Sequence, residues 1–152
     1  SRDENPQVRI AALGGLRRVR EERACKRINE ALHDEMPEVR KAAITAMSEM
    51  ECPHGDIKSA LEDEDPWVRV YAVKSLSRLL KADAVNSLKP LLNDEEIPVV
   101  LSAIDAIAQF GTEDAFGILK PLLEHRDEAV RERVQQLVFG MRWLEDGVET
   151  LQ

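Results

Sequence analysis

The stretch "DPWVRVYAVKSL", residues 65–76, decides the fold because the chain repeats its pattern along its length. Two close copies precede it, "NPQVRIAALGGL" at residues 5–16 and "MPEVRKAAITAM" at residues 36–47. Two weaker copies follow it, "IPVVLSAIDAIA" from residue 97 and "EAVRERVQQLVF" from residue 128. The slot that holds proline in the close copies recurs at steps of 29 or 31 residues. A period of this length is typical of solenoids built from stacked helix pairs.

Each copy predicts one amphipathic helix that starts at the proline slot. Apolar residues stand two, six, ten and thirteen places after the slot, as Val68, Ala72, Leu76 and Leu79 do in the third copy. Steps of three and four residues place these side chains on one face of an α-helix. Proline suits the first turn, because its missing N–H would have no partner there in any case.

A second, shorter helix is predicted before each proline slot. Leucines recur five places before the slot, at Leu32, Leu61, Leu92 and Leu123. Further apolar residues recur nine places before it, at Ile28, Ile57, Leu88 and Leu119. The sequence therefore predicts an all-α fold, a right-handed α-α superhelix of about five helix pairs in one domain, residues 1–152. The expected repeats cover about 1–32, 33–61, 62–92, 93–123 and 124–152, with the second helices on the concave side.

The pattern P-x-V-R-x-x-A-x-x-x-L, with Leu-x-Asp before the next proline, resembles the HEAT-like repeat. It is similar to the short variety that is also found in phycobilisome-lyase-type proteins, and the resemblance covers essentially the whole chain. The family includes scaffolds, adaptors, bilin lyase subunits and a few enzymes, so the resemblance is specific for fold but not for function. It implies a non-enzymatic protein–protein interaction scaffold or adaptor. The alternative that it implies is a bilin lyase-type subunit that binds a linear tetrapyrrole.

Two charged slots recur with the repeat. Arginine stands three places after the proline slot, at Arg9, Arg40, Arg69 and Arg131. Aspartate stands three places before it, at Asp3, Asp34, Asp63 and Asp94. These rows could form an exposed strip that binds a partner, or a ladder of Asp–Arg hydrogen bonds between repeats. The ladder is favoured, because a feature present in every repeat usually serves the stack, and Val100 then predicts a break in it.

Histidines and cysteines give no sign of catalytic or metal chemistry. His33, His54 and His125 occupy different slots, and no pair has the i, i+4 spacing of a helical metal site. Cys25 falls in a core slot, Cys52 stands in a turn where its thiol could be exposed, and the pair forms no C-x-x-C motif. We therefore expect no catalytic residue, no metal, no cofactor and no disulfide, and we expect a reducing, cytoplasmic compartment.

The overall charge of −8 argues against general nucleic-acid binding, since phosphate contacts supply most of that affinity. A basic run, "RRVREERACKR" at residues 17–27, leaves nucleic-acid binding as an alternative, although a solvated helix edge explains it as well. No apolar run reaches the length of a membrane span, so no membrane association is expected.

Two sets of residues are candidates for binding a protein or peptide. The first set departs from the repeat pattern and could form an apolar patch on the first helices: Trp67, Val70, Tyr71 and Leu101. The alternative is that Tyr71 packs between neighbouring helices and Trp67 covers the preceding loop. The second set lies between the core slots of the second helices and is expected on the concave face: Arg27, Lys58, Asn86, Lys89 and Lys120.

Neither end of the sequence carries an obvious polar cap, which solenoids need in order to stay soluble. We therefore expect the chain to be a piece of a longer repeat protein. The alternative is self-association through an uncovered end of the solenoid.

Overall fold

A computed structural model describes residues 4–17, 22–50, 52, 55–110 and 113–149. These residues contain no β-strand, and the prediction of an all-α solenoid is confirmed. The first helices are α1 (Pro6–Leu16), α3 (Pro37–Met50), α5 (Pro66–Leu80), α7 (Ile97–Ala108) and α9 (Glu128–Glu149). They alternate with the second helices α2 (Glu22–Glu30), α4 (Gly55–Ser59), α6 (Val85–Leu88) and α8 (Glu113–Leu119). Within these ranges, no helix combines the length and the apolar character that crossing a membrane would require.

Some of the first helices begin where a side chain accepts hydrogen bonds from free backbone N–H groups, whereas Glu96 at the start of α7 makes no such bond. At α5 the carboxylate of Asp65 accepts hydrogen bonds from the backbone N–H of Trp67 at 2.9 Å and of Val68 at 3.0 Å. At α1 the Asn5 side chain accepts from the Gln7 N–H at 2.9 Å. In both helices proline occupies the first turn, so the capping residue and the proline together mark where these two helices begin.

The second helices are short and continue as 3₁₀ turns. These turns cover Ala31–His33, Ala60–Glu62, Lys89–Asn93 and Lys120–Glu124. Each turn ends at an extended residue, which is Asp34, Asp63, Asp94 or His125. The extended residue redirects the chain into the next first helix, and it places the aspartate slot beside the helix start.

The core is continuous along the solenoid, because each first helix packs on the next, from α1 through α3, α5 and α7 to α9. The slot two places after the proline slot holds valines, of which Val8 in the first copy is 45% exposed and the other four have no exposed surface: Val39, Val68, Val99 and Val130. The leucine and isoleucine slot of the second helices is equally buried, at Ile28, Ile57, Leu88 and Leu119. Fully burying one such side chain stabilises the fold by about 1.5–3 kcal/mol.

The two cysteines form a disulfide, and the expectation of unpaired thiols was wrong. Cys25 in α2 and Cys52, which follows α3, have Cα atoms 5.7 Å apart and sulfur atoms 2.05 Å apart. Cys52 is also buried, although its place in a predicted turn allowed an exposed thiol. The partners are 27 residues apart, and they meet because α2 packs on α3, which no local motif could indicate. The expectation of a reducing compartment therefore loses its basis, since disulfides are typical of oxidising ones.

Candidate protein-binding site

Arginine and aspartate side chains join consecutive repeats through three matching pairs. Nε and Nη2 of Arg40 donate to the two carboxylate oxygens of Asp63, both at 2.8 Å. The same two-point contact joins Arg9 to Asp34 and Arg69 to Asp94, at 2.8–2.9 Å. In each pair the arginine belongs to a first helix, and the aspartate is the extended residue between the following 3₁₀ turn and the next first helix.

The pairs are embedded in backbone hydrogen bonds. Nη1 of Arg40 donates to the carbonyl oxygen of Asp34 at 2.8 Å and to that of Glu35 at 3.2 Å. The carboxylate of Asp63 also accepts from the N–H of Asp65 at 2.9 Å. Arg40 is only 6% exposed, so its N–H groups donate mainly to other residues of the solenoid and not to solvent. These contacts favour a structural role for the charged rows over a partner-binding strip.

The row of arginine–aspartate pairs is interrupted at the fourth interface, which lies between the fourth and fifth repeats. Both partners are replaced there. Val100 occupies the arginine slot and is fully buried, and His125 occupies the aspartate slot. Nδ1 of His125 accepts from the N–H of Asp127 at 3.1 Å, as the aspartates do in the other repeats. Arg131, in the next repeat, donates to the carbonyl oxygens of His125 and Arg126 and forms no carboxylate pair within the described residues. Asp3 lies outside the described residues.

Burial of the Asp34 carboxyl acts to raise its pKa, but other contacts outweigh it and the pKa is lowered overall. The lowering contacts are the hydrogen bonds from Arg9 and from the Met36 N–H, together with the charges of Arg9 and Arg40. The hydrogen bond to Asp63 is the largest influence on Arg40 and raises its pKa, so this guanidinium stays charged.

The lowered pKa of Asp34 predicts a loss of stability in acid. A carboxyl whose pKa is lower in the folded state stabilises the fold above its unfolded pKa of about 3.9, and this contribution disappears as pH falls through the folded value. In Arg9→Gln, burial remains while the main opposing contact is lost, so the pKa of Asp34 should rise. NMR titration of the Asp34 carboxyl in the two proteins measures this shift. Arg131→Gln is the control, and an unchanged Asp34 titration in Arg9→Gln would contradict the prediction.

A groove of about 560 Å³ runs between α5 and α7 and brings together three of the four predicted patch residues. Trp67 is 53% exposed, and with Pro98 and half-buried Leu101 it forms the apolar end of the groove. Lys74 and Arg78 line the groove further along α5. The sequence interpretation missed these two cations, although their spacing of seven and eleven residues from Trp67 places them on the same helix face.

Two of the patch predictions need correction. Val70 is only 3% exposed, so it contributes to the inner wall of the groove and not to an open surface. Tyr71 is 41% exposed, but it lines a different groove of about 380 Å³, which lies between α1 and α3 beside Ala42 and Thr45. Consecutive helical residues point about 100° apart, so Val70 and Tyr71 face different neighbours.

The residues predicted for the concave face are all exposed in the layer of second helices and the turns that continue them. Lys58, Lys89 and Lys120 share the slot eight places before the proline slot, whereas Asn86 and Arg27 occupy other slots. Arg27 lines a smaller cavity of about 260 Å³ together with Glu30. In the basic run, Arg17 forms an ion pair with Glu49, and residues 18–21 lie outside the described residues.

Comparisons with known proteins agree with this architecture. A solved structure of an engineered protein from the Northeast Structural Genomics Consortium is 19% identical, with a TM-score of 0.56, and the match covers 93% of this chain and 76% of that one. At this identity the likeness shows the fold alone. A search of the curated proteins found no match, and nothing in the comparisons supports the tetrapyrrole-binding alternative. The family model for HEAT repeats matches residues 1–58 and 56–138. The chain therefore belongs to the HEAT repeat family.

Proposed function

We propose that the chain is a non-enzymatic protein-interaction module that binds a protein or peptide partner in the groove between α5 and α7. HEAT repeats generally mediate protein–protein interactions, which supports the class of function. The observation that carries the choice of surface is the exposure of Trp67 beside Leu101 and Pro98 in that groove. Partly exposed aromatic side chains in apolar grooves are frequent anchors of protein interfaces.

Trp67 is not required by the repeat itself. Its slot, one place after the proline slot, holds Gln7, Glu38, Pro98 and Ala129 in the other copies. The contacts that join the repeats are made by the arginine–aspartate pairs and by the buried valines, and these do not use the exposed face of the indole ring. The large apolar side chain is therefore available for a function other than stacking the solenoid.

Replacing Trp67 should reduce partner binding far more than it reduces stability. Trp67→Ala removes a central aromatic anchor, and such losses weaken binding by about 2 kcal/mol or more, which is about 30-fold. Because the side chain is half exposed, the free energy of unfolding should change by less than about 1 kcal/mol. Partners captured from a lysate of the source cells and quantified by mass spectrometry measure the first effect, and thermal unfolding followed by circular dichroism measures the second.

Tyr71→Ala is the matched control, because it removes an aromatic side chain of similar exposure from the other groove. We expect this variant to retain the partners that Trp67→Ala loses. If a folded Trp67→Ala protein captures the same partners in the same amounts as the unmodified chain, the α5–α7 groove is not the binding site. If both variants lose the same partner, the two grooves act together and the assignment to one groove is wrong.

A further inference from the structure

The groove between α5 and α7 changes character along its length, from apolar to positively charged. Trp67, Val70, Lys74 and Arg78 follow one another on α5 at spacings of three, four and four residues, so they share one helix face. At 1.5 Å of rise per residue, Lys74 lies about 10 Å and Arg78 about 16 Å from Trp67 along the helix axis. A ligand that spans the groove therefore meets an aromatic ring at one end and two cations at the other.

Among the described residues, no carboxylate neutralises either of the two cations. Neither Lys74 nor Arg78 forms an ion pair with any carboxylate in the part of the chain that the structure describes. Arg78 donates to the hydroxyl oxygen of Ser48 in α3, a neutral acceptor that does not cancel the charge of the guanidinium. The carboxylate on the opposite wall, Asp105, is already paired with Arg133 at 2.6 Å.

The groove between α1 and α3 provides an internal comparison. It has two cations of its own, but Arg17 is paired with Glu49, and Lys41 is paired with Glu38 at 3.7 Å. In a chain with a net charge of −8, carboxylates are abundant, yet within the described residues none pairs with Lys74 or Arg78, unlike the two cations of the α1–α3 groove. Their positive charge is complementary to an acidic ligand.

We propose that the occupant of the α5–α7 groove is an acidic peptide segment of a partner protein; this proposal rests on the protein-binding function proposed above. A large apolar side chain of the segment packs against Trp67, Pro98 and Leu101. Carboxylates of the segment meet Lys74 and Arg78. Because an extended chain advances about 3.3 Å per residue, the carboxylates stand about three and five residues from the apolar side chain.

A nucleic-acid strand is the less fitting occupant of the same groove. Affinity for a strand depends on several phosphate contacts, and two cations on a chain of net charge −8 provide few. An acidic peptide can bind with contacts to these two cations alone, because its apolar side chain on Trp67 supplies a second source of affinity. Arg78 lies in the last turn of α5, where a cation also stabilises the helix dipole, so the stability of each variant is measured beside its binding.

Selection from a phage-displayed library of random peptides tests the charge preference directly. Peptides are selected on the unmodified chain, and those that also bind Trp67→Ala are removed. We expect the remaining sequences to share a large apolar residue with Asp or Glu three to five positions away. If remaining sequences lack this acidic enrichment, the groove binds peptides but the charge inference is wrong. If no sequence distinguishes the two proteins, the proposed binding function itself fails.

Charge reversal then assigns the preference to the two cations. The variant Lys74→Glu, Arg78→Glu should bind the selected acidic peptide at least about tenfold more weakly by fluorescence polarisation, with a smaller dependence on salt. Lys41→Glu, which changes a cation of the other groove, should bind within about twofold of the unmodified chain. Thermal unfolding of each variant identifies any loss of fold. Equal binding by a folded double variant would overturn the proposal.

Binding of a fluorescein-labelled oligouridylate tests the alternative that the groove binds RNA. We expect no saturable binding of this RNA to the groove at physiological salt. RNA binding that Trp67→Ala abolishes and that competes with the selected peptide would overturn the choice of an acidic peptide in favour of a nucleic acid.

Discussion

Arg40→Ala should lower the free energy of unfolding by about 3–5 kcal/mol, the cost typical of removing one partner of a buried ion pair. The change leaves the Asp63 carboxylate, whose side chain is 12% exposed, without its two-point partner. It also removes the donor to the carbonyl oxygens of Asp34 and Glu35. Buried acceptors that lose their donors cost more than the net value of the bonds that were present. Urea-induced unfolding followed by circular dichroism measures the loss.

The chain contains a matched control for this experiment. Arg131 occupies the same slot and donates to backbone carbonyl oxygens, but it has no carboxylate partner in the described part of the chain. Arg131→Ala should therefore cost only about 1–2 kcal/mol. If the two variants are equally stable, the pairing with aspartate contributes little and the structural role of the charged rows is wrong.

The fourth interface suggests a second variant, which distinguishes the loss of the arginine–aspartate pair from the cost of leaving a buried carboxylate without a partner. There the chain itself replaces both partners, with Val100 and His125. Arg40→Val combined with Asp63→His copies this arrangement at the second interface and leaves no unpaired carboxylate. We expect the double variant to be more stable than Arg40→Ala, because replacing both partners avoids the penalty of an isolated buried charge. A double variant less stable than Arg40→Ala would contradict this explanation.

Sequence periodicity predicted the parts of the molecule that repeat. The valine slot, the leucine slot and the proline-marked helix starts each recur in sequence, and each recurs in the structure at the same place in the fold. Periodicity succeeds here because each repeat packs only on its neighbours, so a slot has similar surroundings in most copies, with Val8 of the first copy, which is 45% exposed, as an exception. The aspartate and arginine slots follow the same rule, and the substitution at Val100 marks the interface where the pair is absent.

Features that occur once in the chain were not predictable in the same way. Trp67 and Tyr71 are four residues apart, a spacing that usually places two side chains on one helix face, yet they line different grooves. Whether Lys74 and Arg78 form ion pairs depends on which carboxylates of neighbouring repeats come within reach of them. A contact that occurs at only one place between repeats depends on the three-dimensional arrangement of the stacked helices. The repeated sequence pattern does not describe that arrangement.

Removing the disulfide by Cys25→Ala and Cys52→Ala should lower the free energy of unfolding by about 3.5 kcal/mol, if the bond acts mainly by restricting the unfolded chain. That magnitude follows from the 27-residue separation of the two cysteines. Alanine is the better replacement at Cys52, because this position is 1% exposed and serine would bury an additional polar group. Guanidinium-induced unfolding of the oxidised protein and of the double variant measures the difference.

Reduction provides the matched comparison, because it breaks the same bond without changing the sequence. The reducing agent should destabilise the unmodified chain by a similar amount and leave the double variant unchanged. The loss should also be local, since stability in a solenoid is roughly a sum of nearest-neighbour terms. Hydrogen exchange should accelerate in α2 and α3, which the bond joins, and much less in α7. Two free thiols in the folded, air-oxidised protein, found by thiol labelling and mass spectrometry, would contradict the disulfide and restore the expectation of a reducing compartment.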